Sequence, residues 1–408
     1  MLSSLFIGAA AKRLTLVETI TPFSNQHEFQ GVQSLRQLIG DEDRRGVPTR
    51  FVWLSDDRGS LAENGFLSWS NVRKDQTRNG KPRTPEYHLY YSTNAATEAM
   101  GVGDLLIIVL QRDGSFLAVI TPDKGSVQSQ LLWLFGLEAP ESRDAIVQHV
   151  DAEHDLELGF AARYILDELS IEPEEPEADL LDALINPFGL AFPTTKVFSA
   201  LARDSLPEIS AADDPDRALI EWLDREEQLF RRLERRIVAE RIGAGFNLDG
   251  GVDVDGFLSL SLSIQNRRKA RAGQALENHI EAVMAAQGIR YVRGAETENR
   301  NKPDFLFPDL EAYRNPAFPA GQLTMLGAKS SLKDRWRQVL SEAERIPDKH
   351  LLTLEPGISE NQTDEMRTKG LQLVVPRRLH DTFRPAQREW LLDVNGFVGL
   401  VRQRQAGA

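Results

Sequence analysis

The hydrophobic rhythm of the chain changes once, near its middle. Before residue 170 the apolar positions come as short unbroken runs: residues 105–110 form one, Asp113-Gly114 interrupts, and residues 116–120 form the next. Two such runs around an Asp-Gly pair predict a β-hairpin. Tyr87 followed by residues 88–91 adds an aromatic strand, and residues 128–135 a helix. The first half therefore reads as a mainly-β, barrel-like domain.

Past residue 180 the spacing becomes helical. Leu219, Leu223, Phe230, Leu233 and Ile237 recur on one face, which predicts a long amphipathic helix over residues 216–242, ended by Gly243-Ala244-Gly245. A second helix is expected over residues 273–287. Short apolar runs follow at 291–292, 305–307 and 325–328, then a helix over 333–346 and buried strands at 351–354 and 371–375. This order describes an α/β domain with a small mixed central sheet flanked by helices. Between the two patterns lies Ile171-Glu172-Pro173-Glu174-Glu175-Pro176-Glu177, where two prolines and dense like charge disfavour a packed element. The expected organisation is thus an N-terminal domain over residues 1–168, an acidic linker over 169–180, and a C-terminal domain over 181–408. A solvated spacer and an acidic strip that competes with DNA for a basic surface both fit the linker.

Composition narrows the chemistry. The chain has 408 residues, 41% hydrophobic and 27% charged, as expected of folded domains rather than disorder. It has no cysteine, which excludes disulfide scaffolds, zinc knuckles, iron–sulfur sites and thiol nucleophiles. Any catalytic metal must sit on oxygen or imidazole ligands. The apolar start, residues 5–11, is too short for a membrane span and has no basic residue before it, so a cytoplasmic protein without membrane contact is expected. The net charge of -13 argues at first against a nucleic-acid partner. Its distribution reverses that: residues 141–190 hold 14 Asp and Glu against Arg143 and Arg163, whereas residues 261–345 hold 14 Lys and Arg against 10 acids. The second stretch includes Arg267, Arg268, Lys269 and Arg271, cations suited to phosphates.

Three residues of the second half suggest a reaction. Asp304 follows Pro303 at the start of one strand candidate, Lys329 ends the next, and Glu342 lies in the helix expected after it. Paired strands would set the amine beside the first carboxylate, and an inward-facing helical carboxylate would reach the same place. Two acids can hold Mg²⁺, which takes few protein carboxylates and keeps several waters. The lysine would orient a water or offset phosphate charge, so the set suits phosphodiester hydrolysis.

The motifs around these residues resemble those of a known family. Gln265-Asn266-Arg267-Arg268-Lys269-Ala270-Arg271-Ala272-Gly273 with Leu276 and Glu277, then Asn301-Lys302-Pro303-Asp304-Phe305-Leu306-Phe307-Pro308, then Lys329-Ser330-Ser331-Leu332-Lys333-Asp334-Arg335-Trp336-Arg337-Gln338, and finally Val374-Val375-Pro376, are similar to the catalytic domain of the EcoRII-type restriction endonucleases. The resemblance spans roughly residues 181–390. It implies a restriction-endonuclease-like core of the PD-(D/E)XK superfamily, with catalytic Asp304, Lys329 and Glu342, and with Glu277 near the metal. The superfamily's usual acid two places before the lysine is Gly327 here. The EcoRII-like branch also lacks it and supplies the carboxylate from the position matched by Glu342.

For the DNA, Arg335 can bond O6 and N7 of guanine and Asp334 can accept from the cytosine amine, so Lys333-Asp334-Arg335 suits neighbouring G·C pairs. The resemblance gives this segment that use, with Arg337 beside it, on CCWGG-like targets with CC and GG arms. Arg225 also matches the family and is a weaker candidate for the DNA surface. In the first half, Gly101-Val102-Gly103-Asp104-Leu105 and the hairpin are similar to the B3-like pseudobarrel that precedes the nuclease in this family. There the segment Arg73-Lys74-Asp75-Gln76-Thr77-Arg78-Asn79-Gly80-Lys81 offers Arg73, Arg78 and Lys81 to phosphates or a groove. The resemblance further implies double-stranded DNA as substrate, a homodimer on a twofold target, and a cognate DNA methyltransferase. Two other functions stay open on the residues: a sequence-specific DNA-binding regulator with an inactive nuclease core, and a DNA repair endonuclease.

Overall fold

The computed structural model describes residues 1–407 apart from 20–26, 31, 58, 75, 79–80, 142–143, 151–158, 172–176, 249–250 and 333–335. The core of the expected linker lies outside the described residues. The chain divides into two compact units, the first of residues 1–173, 356–363 and 382–384, the second of 174–355, 364–381 and 385–408.

The first unit is built on β1 (Phe6–Arg13), β2 (Glu28–Phe29), β3 (Arg44–Ser55), β4 (Gly59–Asn71), a separate hairpin of β5 (Thr77–Arg78) and β6 (Lys81–Pro82), then β7 (Tyr87–Tyr91), β8 (Leu105–Gln111), β9 (Phe116–Thr121) and β10 (Ile146–His149). Eight of them form one sheet in the order β10-β1-β8-β9-β3-β4-β7-β2. Alternate side chains of a strand leave opposite faces, and here both faces are covered. Leu105, Ile107 and Val109 join one core with helices α1 (Ser126–Leu134) and α2 (Phe160–Glu168). Leu106, Ile108 and Leu110 join the other, with Trp69, Tyr87 and Leu89. That double burial is why β8 and β9 read as unbroken apolar runs. Of the expected pseudobarrel these strands form a half-barrel sheet, which among the described residues has the four-residue β10 and the two-residue β2 at its edges.

The second unit begins with helices α3 (Ala178–Ile185), α4 (Thr195–Asp204), α5 (Pro215–Gly243) and α6 (Val254–Ala286). Asp214 caps α5 by accepting from Arg217 N–H, and Pro215 occupies the first turn, where its missing N–H costs nothing. Leu229, Phe230 and Leu233 of α5 pack with Phe198 and Leu181. The helix α6 begins at Val254 rather than near 273, so the basic run of residues 267–271 is helical. A five-stranded sheet follows, β13 (Val292–Arg293), β14 (Phe305–Phe307), β15 (Thr324–Lys329), β16 (Lys349–Thr353) and β17 (Leu371–Val374), after the small hairpin β11 (Asn247–Leu248) and β12 (Gly251–Val252). Strands β13 to β15 pair antiparallel and β15 to β17 parallel. This mixed sheet with flanking helices is the arrangement expected from the sequence. The helix expected over 333–346 is shorter: among the described residues only α7 (Trp336–Val339) is helical, and Glu342 lies in the turn after it. Ala343 has φ of 49°, which ends any continuation. No helix of the described residues is long and apolar enough to cross a membrane.

Candidate active site

The site forms where β14 and β15 meet. Antiparallel pairing sets Phe305 opposite Leu326, so Asp304, one residue earlier, comes level with the end of β15. Its Oδ2 accepts from Ala328 N–H at 2.7 Å and from Lys329 Nζ at 3.0 Å. Both side chains are mostly buried, at 17% exposure for Asp304 and 22% for Lys329. The strand end fixes the amine and the backbone N–H orients the carboxylate that receives it.

Glu342 reaches this place from the turn. Its pKa is raised to about 7, by burial first and by the negative charge of Asp304 second, with Lys329 and Lys349 opposing. Its Oε2 is buried and meets no hydrogen-bond donor among the described residues. Asp304 and Lys329 thus lie near enough for their charges to act on the half-buried Glu342.

The turn is held from several sides. Asn301 Nδ2 donates to Ser341 O at 2.7 Å, and Lys349 Nζ donates to Ala343 O at 3.2 Å and Ile346 O at 2.8 Å. The guanidinium of Arg345 donates to the carbonyls of Tyr313, Asn315 and Phe318. Asn301 comes from a distant segment, Lys349 lies just beyond the carbonyls it caps, and Arg345 ties the stretch outward, while the stretch keeps i→i−3 bonds of its own from Ser341 N–H to Gln338 O and from Glu342 N–H to Val339 O. Lys349 and Arg345 were missed by sequence reasoning; nothing local to their positions signals the role.

Gly327 has a packing reason. A Cβ there would stand 3.0 Å from Val339 Cγ2 and 3.2 Å from its Cγ1. The position that elsewhere carries an acid is filled by the side chain of α7, and the same close approach brings the following turn to the sheet.

The remaining candidates separate. Glu277 is engaged by Arg293, from Nε at 3.1 Å and Nη2 at 2.8 Å, and Arg293 lies on β13 opposite Phe305. Arg271 corrects the sequence reading: it is buried, ion-paired with Glu226 at 3.2 Å and with Glu227, over the ring of Phe230. A guanidinium so enclosed does not face a phosphate. Arg225 is likewise enclosed, at 11% exposure and 2.7 Å from Glu177, rather than on an open surface. Arg268 donates from Nε to Glu234 at 2.8 Å, Arg267 lies exposed over Phe192, and Lys269 is exposed. Arg337 is exposed and bonds Glu365 at 2.8 Å, while Trp336 beside it is wholly buried. Lys333, Asp334 and Arg335 lie outside the described residues, as does the side chain of Arg78. In the first unit Arg73 pairs with Glu86 and Lys81 is exposed. No group of three or more His, Asp or Glu side chains able to hold a metal occurs among the described residues. The pair Asp304 and Glu342 still suits a hard cation that keeps most of its waters, and the Oε2 of Glu342 has no partner among the described residues.

Residues 230–398 match the family model described as EcoRII C terminal. The type II restriction enzyme EcoRII of Escherichia coli is 42% identical over 186 residues, which are 45% of this chain and 45% of that protein. This chain therefore matches under half of that relative's length. Two solved structures are similar in fold: metal-depleted Ecl18kI in complex with uncleaved, modified DNA, at TM-score 0.46 and 16% identity over 56% of this chain and 84% of that one, and the restriction endonuclease PspGI–substrate DNA complex, at TM-score 0.44 and 15% identity over 53% and 95%. The stretch that matches the EcoRII C-terminal family model, residues 230–398, is the one that carries Asp304, Lys329 and Glu342.

Proposed function

We propose that this protein is a type II restriction endonuclease: an Mg²⁺-dependent enzyme that hydrolyses phosphodiester bonds of double-stranded DNA at a short specific sequence. The observation that carries the reading is the convergence of Asp304, Lys329 and Glu342 at the end of β14 and β15. Asp304 and Glu342 would hold the metal, which when bound stabilises charge on the phosphoryl oxygens and acidifies a water. Lys329, anchored to Asp304, directs its remaining N–H groups at the phosphate or the attacking water. The turn that bears Glu342 keeps this carboxylate out of bulk water, where it also takes up a proton near neutral pH. Glu277, held by Arg293 on the strand next to β14, would be the further carboxylate near the metal.

Base reading falls to Lys333, Asp334 and Arg335 with Arg337 next to them, on a target with CC and GG arms. A twofold target cut on both strands needs two copies of the site, hence a homodimer, and the host's own copies of the target need a cognate methyltransferase. The first unit acts as a B3-like DNA-binding and effector module, with Lys81 of its β5–β6 hairpin towards phosphate.

The test is incubation of an unmethylated plasmid with the full-length protein and Mg²⁺, followed by sequencing of the fragment ends. Discrete ends that disappear in Lys329→Ala are expected. Duplex binding without nicking would instead mark a DNA-binding regulator, and cuts scattered without regard to sequence a repair nuclease.

A further inference from the structure

The first half of α6 carries an apolar stripe that the chain itself leaves open. Val254 is 59% exposed, Phe257 48%, Leu258 52% and Leu262 61%. At 3.6 residues per turn these positions, with Ser261, fall on one face. Further along α6 the same face is core: Leu276, His279, Ile280 and Val283 are buried. The stripe thus continues in register beyond the body it packs on. Ile242, at the end of α5, and Val252, just before α6, are exposed as well. Six of the sixteen large apolar side chains exposed among the described residues lie between 242 and 262, a concentration that marks an interaction surface rather than chance exposure.

The charges at the two ends of the stripe identify the occupant. Exposed Asp255 stands beside its start, with Asp253 as the helix cap, and exposed Arg267 and Lys269 stand beyond its end. From Asp255 to Lys269 is about 21 Å along the helix at 1.5 Å per residue. We propose that this face of α6 pairs antiparallel with the same face of a second copy of the chain, about a twofold axis near Ser261. Antiparallel pairing joins each acidic start to the basic run of the other copy and buries the stripe between, whereas parallel pairing would set like charges together. DNA does not fit the stripe, since exposed carbon offers nothing to phosphate. The proposal names the contact behind the dimer expected of the proposed function, and it takes Lys269 from the phosphate role suggested by the sequence.

Sedimentation velocity over a concentration series tests it without any reading of cleavage. The wild-type full-length chain should dimerise at micromolar concentration, and Leu262→Asp should weaken that at least tenfold. Asp255→Lys and Lys269→Asp should each weaken it, and the two combined should recover it, which a phosphate role for Lys269 does not predict. All are exposed positions, and unchanged circular dichroism and Tm would show that the fold persists. Because the chain has no cysteine, Ser261→Cys gives a single thiol near the axis, and oxidation should yield a disulfide-linked pair. A wild-type monomer would overturn the proposal. So would a dimer indifferent to Leu262→Asp, which places association elsewhere while leaving the nuclease reading intact.

Discussion

At the scale of single residues the site depends on a carboxyl group kept in an unfavourable place. Burial and the charge of Asp304 raise the Glu342 pKa from 4.5 to about 7. A carboxyl whose pKa is raised on folding contributes stability below its unfolded value, and that contribution is lost as pH rises to the folded value. The metal-free protein should therefore pay for an ionised Glu342 above about pH 7. Glu342→Gln, shaped like the neutral form, should raise Tm in the presence of a chelator, by a margin that grows from pH 4.5 to about 7 and is level beyond. Cleavage by this variant should be lost. Thermal unfolding across pH checks the first statement and plasmid cleavage the second. Lys349 makes a complementary case, since its Nζ ties down the carbonyls of Ala343 and Ile346 on either side of the turn's exit. Lys349→Met keeps the volume and removes both bonds. Single-turnover cleavage should fall about 10² fold, as for a misplaced catalytic group, with duplex affinity unchanged in a binding titration.

At the scale of elements, the close approach of α7 to β15 delivers Glu342, and Gly327 permits it. Gly327→Ala places a methyl group against Val339 and should lower cleavage by displacing the turn. Val339→Ala vacates that space, so the double variant should recover activity relative to Gly327→Ala alone; plasmid cleavage by the three proteins decides it. This also shows why some of the site was legible and some was not. Asp304 and Lys329 sit at the ends of strands whose apolar runs are local signals, and antiparallel pairing follows from them. Glu342 was read from the residues and matched again by the resemblance, while its element was misread as helix, because the turn depends on contacts outside the local pattern: Asn301 bonds Ser341 O, Lys349 bonds Ile346 O and Arg345 bonds Asn315 O. The start of α6 was hidden for a related reason. Its Ser-Leu alternation over residues 259–263 lacks a buried face within the chain, so the helical period is carried by exposed residues. In the first unit, burial of β8 and β9 on both faces made the strands obvious, yet nothing local distinguishes a half-barrel sheet from a closed barrel.

At the scale of the whole molecule, the distribution of charge matters more than the total of -13. Counting basic residues along the sequence overstates the cations open to DNA, because several are held by the protein's own acids. Arg271 is the clearest case, lying among Glu226, Glu227 and the ring of Phe230, with His279 bonded to Glu226 at 2.9 Å. Breaking a buried pair from one side costs about 3 to 5 kcal/mol because the remaining charge is stranded. Arg271→Gln should therefore lower Tm by several degrees. A lost phosphate contact would instead reduce the slope of log Kobs against log salt by about one. Binding titrations of a duplex at a series of salt concentrations, run at a temperature where the variant stays folded, should give the wild-type slope. A shallower slope would return Arg271 to the DNA surface and require the helices α5 and α6 to part when the duplex binds.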